Sequence, residues 1–272
     1  AIGPERGPPG ALVTLTGMNF GSGPGAGGVT FAWAAADATS PYDAKAGESA
    51  VTATDRDGAY ESWTELEIKV RIPDGATSGS VQVRTARGTS NAVYLELEAG
   101  VGSKRFVDQR TYHVEYGVDI GGVSLQPGAP ASNALYVWVP NVIALPEQRA
   151  IELVRRDPGQ PLFDDLGGLC GWMFENLAAA ETRAIRQQFI FHRYAVATNL
   201  SPERVGLEYD RSRKLFVRYT RPDAFVPSDD EKLKAAARLV VGTTRNPYWK
   251  ARLAYNYVLQ RLAYDPTFTG TA

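Results

Sequence analysis

The chain has 272 residues, 44% hydrophobic and 22% charged, with 29 basic residues against 30 acidic ones and a net charge of −1. That length accommodates two domains with cores of their own, and the neutral balance offers no basic surplus for nucleic acid. A single cysteine, Cys170, excludes an intramolecular disulfide and a multi-cysteine zinc site, and no run of about 18 apolar residues is present to span a membrane.

The first hundred residues are rich in Gly, Thr, Val and Pro, with short alternating runs between turn residues. Leu66, Ile68, Val70 and Ile72 alternate with polar neighbours, as do Val81 and Val83, and Val93, Leu95 and Leu97. Period two with such punctuation predicts a small antiparallel sandwich over residues 1–98. Between Phe31 and Trp63 lie 31 residues with little period. This 32–62 insertion reads as a long loop, and it carries Trp33, Tyr42 and Tyr60. Aromatic anchors on a loop held by a rigid sandwich suit a protein interface, so these three are the candidate partner-binding residues. The competing reading is a loop that packs on its own domain.

After the segment "EAGVGSK", whose Gly100 and Gly102 permit a hinge, a second β-rich domain is expected over 104–226. Tyr112, Val114, Tyr116, Val118 and Ile120 share one face of a strand, which turns His113 outward to solvent. "NALYVWVPNV" reads as a buried strand, and "LCGWMFENL" and "RQQFIFHRYAVAT" as two more. "PEQRAIELVRRDP" fits helix or strand.

Residues 227–272 read as a helical tail. Ser228 followed by Glu231 makes a capping box, Leu233, Ala236, Ala237 and Val240 form a stripe, and Gly242 ends the helix. Asn246 caps a second helix with Pro247 at its first position. Ala251, Ala254, Tyr255, Val258 and Leu262 line one side of it.

Candidate chemistry is sparse. Cys170 and His192, with Asp164 and Asp165 nearby in sequence, invite a nucleophilic pair, but both lie in strand-like apolar runs where an inert buried thiol is expected. One cysteine and two histidines leave little for a soft-metal site. Asp55-Arg56-Asp57-Gly58 reads as a turn, since it lacks the remaining acids of a calcium loop. "GSGPGAGG" is followed by no Lys-Ser or Lys-Thr and is no phosphate loop. Trp33, Trp63, Trp138, Trp172 and Trp249 divide between core packing and a sugar platform. No catalytic, cofactor-binding or metal-binding residue is assigned.

Two resemblances add to this. "PERGPPGALVTLTGMNFG", with Pro4, Gly7, Gly10, Val13 to Gly17 and Asn19-Phe20-Gly21, resembles the start of an IPT/TIG domain, an immunoglobulin-like fold. The likeness continues through "GGVTF", Trp63 and "EIKVRIPDGATSGSVQVRTARGTSNAV". Gly17 and Gly21 then serve the turns, and Phe20 plugs one end of the sandwich. "ALYVWVPNVIALPEQR", "GGLCGWMFENLAAAETRAIRQQFIFHRYAVAT" and "LEYDRSRKLFVRYTRPDAFVPSDDEKLKAAARLV" resemble the β-rich region preceding the core of bacterial transglutaminase-like proteins. "RNPYWKARLAYNYVLQRLAYDP" resembles the leading helix of that core. In that family a nucleophilic Cys, a His and an Asp follow this helix, and no residue here aligns with them.

The expected fold is therefore mainly β: tandem immunoglobulin-like sandwiches with a short C-terminal helical segment. The expected role is a non-catalytic, extracytoplasmic (periplasmic or cell-surface) binding and scaffolding subunit that contacts other proteins, in a membrane-associated assembly or free of one. It takes no cofactor and no nucleic acid, with carbohydrate as the minor alternative ligand. The alternative role is the N-terminal portion of a transglutaminase-like cysteine peptidase or acyltransferase whose triad lies beyond residue 272.

Overall fold

A computed structural model describes the chain apart from residues 26, 35–48, 56–57, 122–132, 167, 179–180 and 264–272, with backbone alone at 165 and 166. It is mainly β, as the alternation predicts: two β-sandwiches in tandem, followed by three helices.

The first sandwich holds β1 (Ile2–Gly3), β2 (Arg6–Gly7), β3 (Leu12–Thr16), β4 (Gly28–Ala32), β5 (Ala50–Thr52) and β6 (Tyr60–Trp63). It is completed by β7 (Glu67–Arg71), β8 (Gly79–Thr85), β9 (Gly88–Thr89) and β10 (Val93–Leu97). One sheet runs β1-β3-β7-β6 and the other β2-β10-β8-β4-β5, with β9 on β8. The alternation is realised in side chains: Val13, Leu15, Ile68, Val70, Val81, Val83 and Leu95 point between the sheets. Leu66, the first residue of the expected alternating run, is exposed, because a turn precedes β7. Phe20 is buried in this core, where its ring occupies the space a side chain at Gly17 would need. The described part of the 32–62 insertion is not a loop. Its β5 pairs with β4 and its β6 pairs with β7, so both are sheet members.

The second sandwich holds β11 (Gly102–Ile120), β12 (Ala134–Pro140), β13 (Gln148–Asp157), β14 (Phe163–Leu166), β15 (Leu169–Glu175) and β16 (Arg183–Leu200). The sheet β11-β16-β13 faces the sheet β12-β15-β14. Ile120, Val139, Cys170, Trp172, Leu177 and Ile185 meet between them. "PEQRAIELVRRDP" resolves into β13, fixed by pairing to β16. "NALYVWVPNV" does form a strand, but only its inner residues are covered; Tyr136 and Trp138 stand outward, exposed and stacked on each other.

β11 and β16 are 19 and 18 residues long and pair antiparallel from Gly102↔Leu200 to Ile120↔Arg183. At about 3.4 Å per residue the ribbon is ~60 Å long. Its two ends enter different cores through different faces. Ile185 and Gln187 face the second core region, whereas His192 and Tyr194 are buried on the opposite parity. Phe106 and Tyr194 belong to the first sandwich's core. The register shift between Val107 and Arg110 lies at this change of face. The ribbon begins at Gly102, inside the segment expected to be a hinge, and is packed at both ends.

The helices are α1 (Lys214–Thr220), α2 (Glu231–Val241) and α3 (Pro247–Arg261), with a short 3-10 turn at Pro202–Arg204. α1 falls at the end of the span expected to be the second β-rich domain, and its two turns carry no side-chain cap. α2 is capped by Asp230, whose carboxylate accepts from the backbone N–H groups of Lys232 and Leu233, rather than by Ser228. Gly242 ends it in the left-handed region, as expected. Asn246 caps α3, accepting from Tyr248 and Trp249, with Pro247 at the first position. Its amide also donates to the Pro202 carbonyl at 2.8 Å, which ties the helix to the turn after β16.

Candidate functional site

Of the expected partner-binding aromatics, Trp33 and Tyr60 are buried. Trp33, at the end of β4, is 5% exposed. Its ring packs 5.5 Å from Phe106 and 5.3 Å from Tyr194, and the Arg149 guanidinium lies over it at 4.3 Å. Trp33 is therefore the joint between the sandwiches, because the ribbon brings Phe106 and Tyr194 to it. Tyr60 is also buried. Its hydroxyl donates to the Ala53 carbonyl at 3.0 Å and accepts from the Val29 N–H at 2.8 Å, closing the gap between the two sheets. Burial pushes its pKa up to about 12, against the bond from Val29. Tyr42 lies outside the described residues. Neither Trp33 nor Tyr60 offers a face to a partner, for the residues read as loop flanks are strand ends pointing inward.

Cys170 and His192 are not brought into a reactive pair. Cys170 is fully buried in the second core, with its thiol on the Phe163 carbonyl at 3.5 Å. Burial pushes that thiol up to about 11, well away from a thiolate at neutral pH. His192 lies beyond the ribbon's change of face, where Nδ1 and the Gln109 amide are 2.9 Å apart. Gln109 in turn accepts from the Tyr194 hydroxyl at 2.9 Å. His113 points to solvent.

Asp164, which also acts on the Cys170 thiol, is held chiefly by Arg156. Arg156, only 7% exposed in its side chain, makes two bonds to Asp164 at 2.7 and 3.1 Å and one to the buried Gln187 at 3.0 Å. Asn141 donates to Asp164 at 3.1 Å. The Arg156 guanidinium holds the Asp164 carboxyl below the usual range, against desolvation, and Asn141 adds to the effect. This network fastens β13 to β14.

The tryptophans divide by burial. Trp172 is in the second core with its indole N–H on the Pro158 carbonyl, and Trp63 donates to the Phe20 carbonyl. Trp138 and Trp249 are exposed.

The surface that stands out is helical. No residue of α1, α2 or α3 is buried. Yet Val217, Tyr219, Leu233, Leu239, Trp249, Tyr255, Val258 and Leu259 are large, apolar and exposed, Leu239 at 82%. Phe225, between α1 and α2, is exposed at 83%. On α3 the residues Trp249, Leu253, Tyr255, Val258 and Leu259 spread over more than half of the circumference at about 100° per residue, interleaved with Arg252, Asn256 and Gln260. The helices also carry eight basic residues, from Lys214 to Arg261, against one acidic residue, Glu231. The sequence showed the stripes; it did not show that the sandwiches leave them uncovered. No helix among the described residues is long and apolar enough to cross a membrane.

No family model and no curated protein matches the chain. Among solved structures, one of domains CD of another protein aligns with 73% of this chain and 98% of that chain, at 13% identity and a TM-score of 0.23. Another, of a protein with xylogluco-oligosaccharide, aligns with 73% of this chain and 57% of that chain, at 11% identity and a TM-score of 0.23. The chain thus spans little more than half of the second structure, and neither likeness carries an argument.

Proposed function

We propose that this chain is a non-catalytic binding and scaffolding protein whose tandem sandwiches hold out a helical segment for another protein to enclose. The observation that carries the reading is the set of large apolar side chains exposed on helices with no buried residue of their own. Exposed apolar area on this scale marks an interface. Exposed apolar side chains over more than half of α3's circumference fit enclosure by protein better than contact with a flat surface. The excess of basic side chains calls for a partner whose apolar surface has an acidic rim. The resemblance of residues 1–98 to IPT/TIG domains supports an extracytoplasmic setting.

A second reading shares the same observation. In it the cover comes from a transglutaminase-like core on the same polypeptide, and α3, capped by Asn246 with Pro247 behind it, is that core's leading helix. The catalytic Cys, His and Asp would then lie beyond residue 272.

The experiment is quantitative co-purification with the wild-type chain and with Leu239→Glu and Val258→Glu, which touch exposed positions. The scaffold reading expects a stoichiometric protein partner that both variants lose while their thermal midpoints stay at the wild-type value. Equal retention by the variants removes the helical face as the docking site. Acyl-transfer or peptidase activity in the full gene product, lost on replacing a downstream cysteine, favours the second reading instead.

A further inference from the structure

Between the first sandwich, the turn that leads into β13, and α1 lies a cavity of about 590 Å³. It shares only the start of α1 with the helical surface on which the scaffolding role rests. Small-molecule sites fall in this size range and favour domain junctions. The first sandwich contributes Arg71 and Ile72 to the wall, the turn and β13 contribute Pro146 and Arg149, and the start of α1 contributes Arg213 and Leu215.

Basic groups predominate on this wall. Three guanidinium groups from three separate elements meet there, and a guanidinium keeps its charge at any working pH. Among the described lining residues the carboxylate is Asp74, which Lys104 holds in an ion pair. Arg71 is fixed by Glu61 at 2.8 Å and by the Gly10 carbonyl at 3.1 Å. Arg149 is fixed by its place over Trp33 and its bond to the Ala50 carbonyl. Both are thereby held in orientation before any ligand arrives. Arg213, on the opposite wall, is half-buried at the cap of α1. Ile72, Pro146 and Leu215 give the wall an apolar stretch, which strengthens a charge pair formed beside it.

We propose that this cavity binds a small organic carboxylate with an apolar body. The carboxylate takes the guanidinium side, where fork geometry matches it, and the body lies against Ile72, Pro146 and Leu215. A monoanion is favoured over a phosphate dianion because Asp74 shares the wall. Since Arg213 and Leu215 come from the start of α1, the ligand also fastens that helix to the first sandwich. Two contacts already make that link: Lys214 donates to the Tyr60 carbonyl, and Leu215 packs within 3.2 Å of the Cβ position of Gly58.

The test uses the whole chain, with phenylbutyrate as probe and phenylbutyramide as its neutral counterpart, followed by titration calorimetry. Saturable binding of the acid is expected, with the amide about tenfold weaker or more, a difference of one charge-assisted contact. Arg213→Gln should weaken the acid by a similar factor, and Ala144→Trp, at an exposed lining position, should abolish binding by filling the mouth. Thermal midpoints of both variants without ligand should match the wild type. Equal affinity for acid and amide, no saturable binding of the acid at millimolar concentration, or wild-type affinity in folded Arg213→Gln and Ala144→Trp would each overturn the proposal.

Discussion

Replacing Trp33 by Ala tests whether the two sandwiches are held as one body. A buried tryptophan removes roughly 150–250 Å² from water, worth about 4–6 kcal/mol gross at ~25 cal/mol per Å². Alanine keeps part of that, and the cavity left between Phe106 and Tyr194 adds a penalty, so the net cost is about 3–5 kcal/mol. Loss of the Arg149 contact over the ring contributes on the order of 1 kcal/mol to that figure. The indole N–H has no hydrogen-bond partner among the described residues. Trp33→Phe therefore gives up ring volume but no hydrogen bond, and should cost well under half as much. Urea unfolding followed by circular dichroism measures both, with Tyr94→Ala, at an exposed position, as the control expected within about 0.5 kcal/mol of wild type. A Trp33→Ala cost below about 1 kcal/mol would refute the reasoning, because it would mean that the sandwiches touch without depending on each other.

Gly117 pairs with Arg186 inside the ribbon, and an added Cβ would sit 1.8 Å from the Ile185 carbonyl oxygen, a backbone atom. Gly117→Ala should cost about 1–3 kcal/mol by denaturant unfolding, whereas Gly23→Ala, with open space around it, should be nearly neutral. Cys170 should react slowly with a thiol reagent at neutral pH, and His192→Ala should leave the rate unchanged, since burial holds the thiol up to about 11. Fast, His192-dependent labelling would contradict that. Tyr60 has a folded pKa of about 12 against an ordinary 10.0. Its contribution is fully present below pH 10.0 and is lost as pH rises towards about 12, so wild-type stability should fall across that window. Tyr60→Phe should lose the Ala53 and Val29 bonds at all pH values and show a shallower alkaline fall.

The strands of the first sandwich were legible because period two survives in them: Val13 and Leu15, or Ile68 and Val70, announce their own inward face. The caps of α3 were legible because Asn-Pro is a local signal, whereas α1 has no cap chemistry to read. The roles of Trp33 and Tyr60 were not legible. An aromatic beside a weakly periodic segment looks like a loop anchor, and only the ribbon, arriving more than seventy residues later with Phe106 and then Tyr194, makes Trp33 a core residue. β5 is three residues long, too short for any period to show. The cavity could not be foreseen either, since Arg71, Arg149 and Arg213 are far apart in sequence and are gathered by the fold.

The change of face along the ribbon sets a rule for how this chain can tolerate insertion and deletion. Ile185 must stay turned to one core and Tyr194 to the other, with eight residues of β16 between them. Removing one residue from that stretch would turn one of the two outward and expose a core, because strand side chains alternate strictly. Removing two would restore parity but draw the sandwiches about 7 Å closer and misalign Trp33 with its partners. Only a matched change of even length in both β11 and β16 preserves the faces, and even that alters the reach. The distance between the sandwiches is therefore inherited as a fixed length, unlike a tether of glycine and serine that could drift, and homologous chains should vary in their loops long before they vary here.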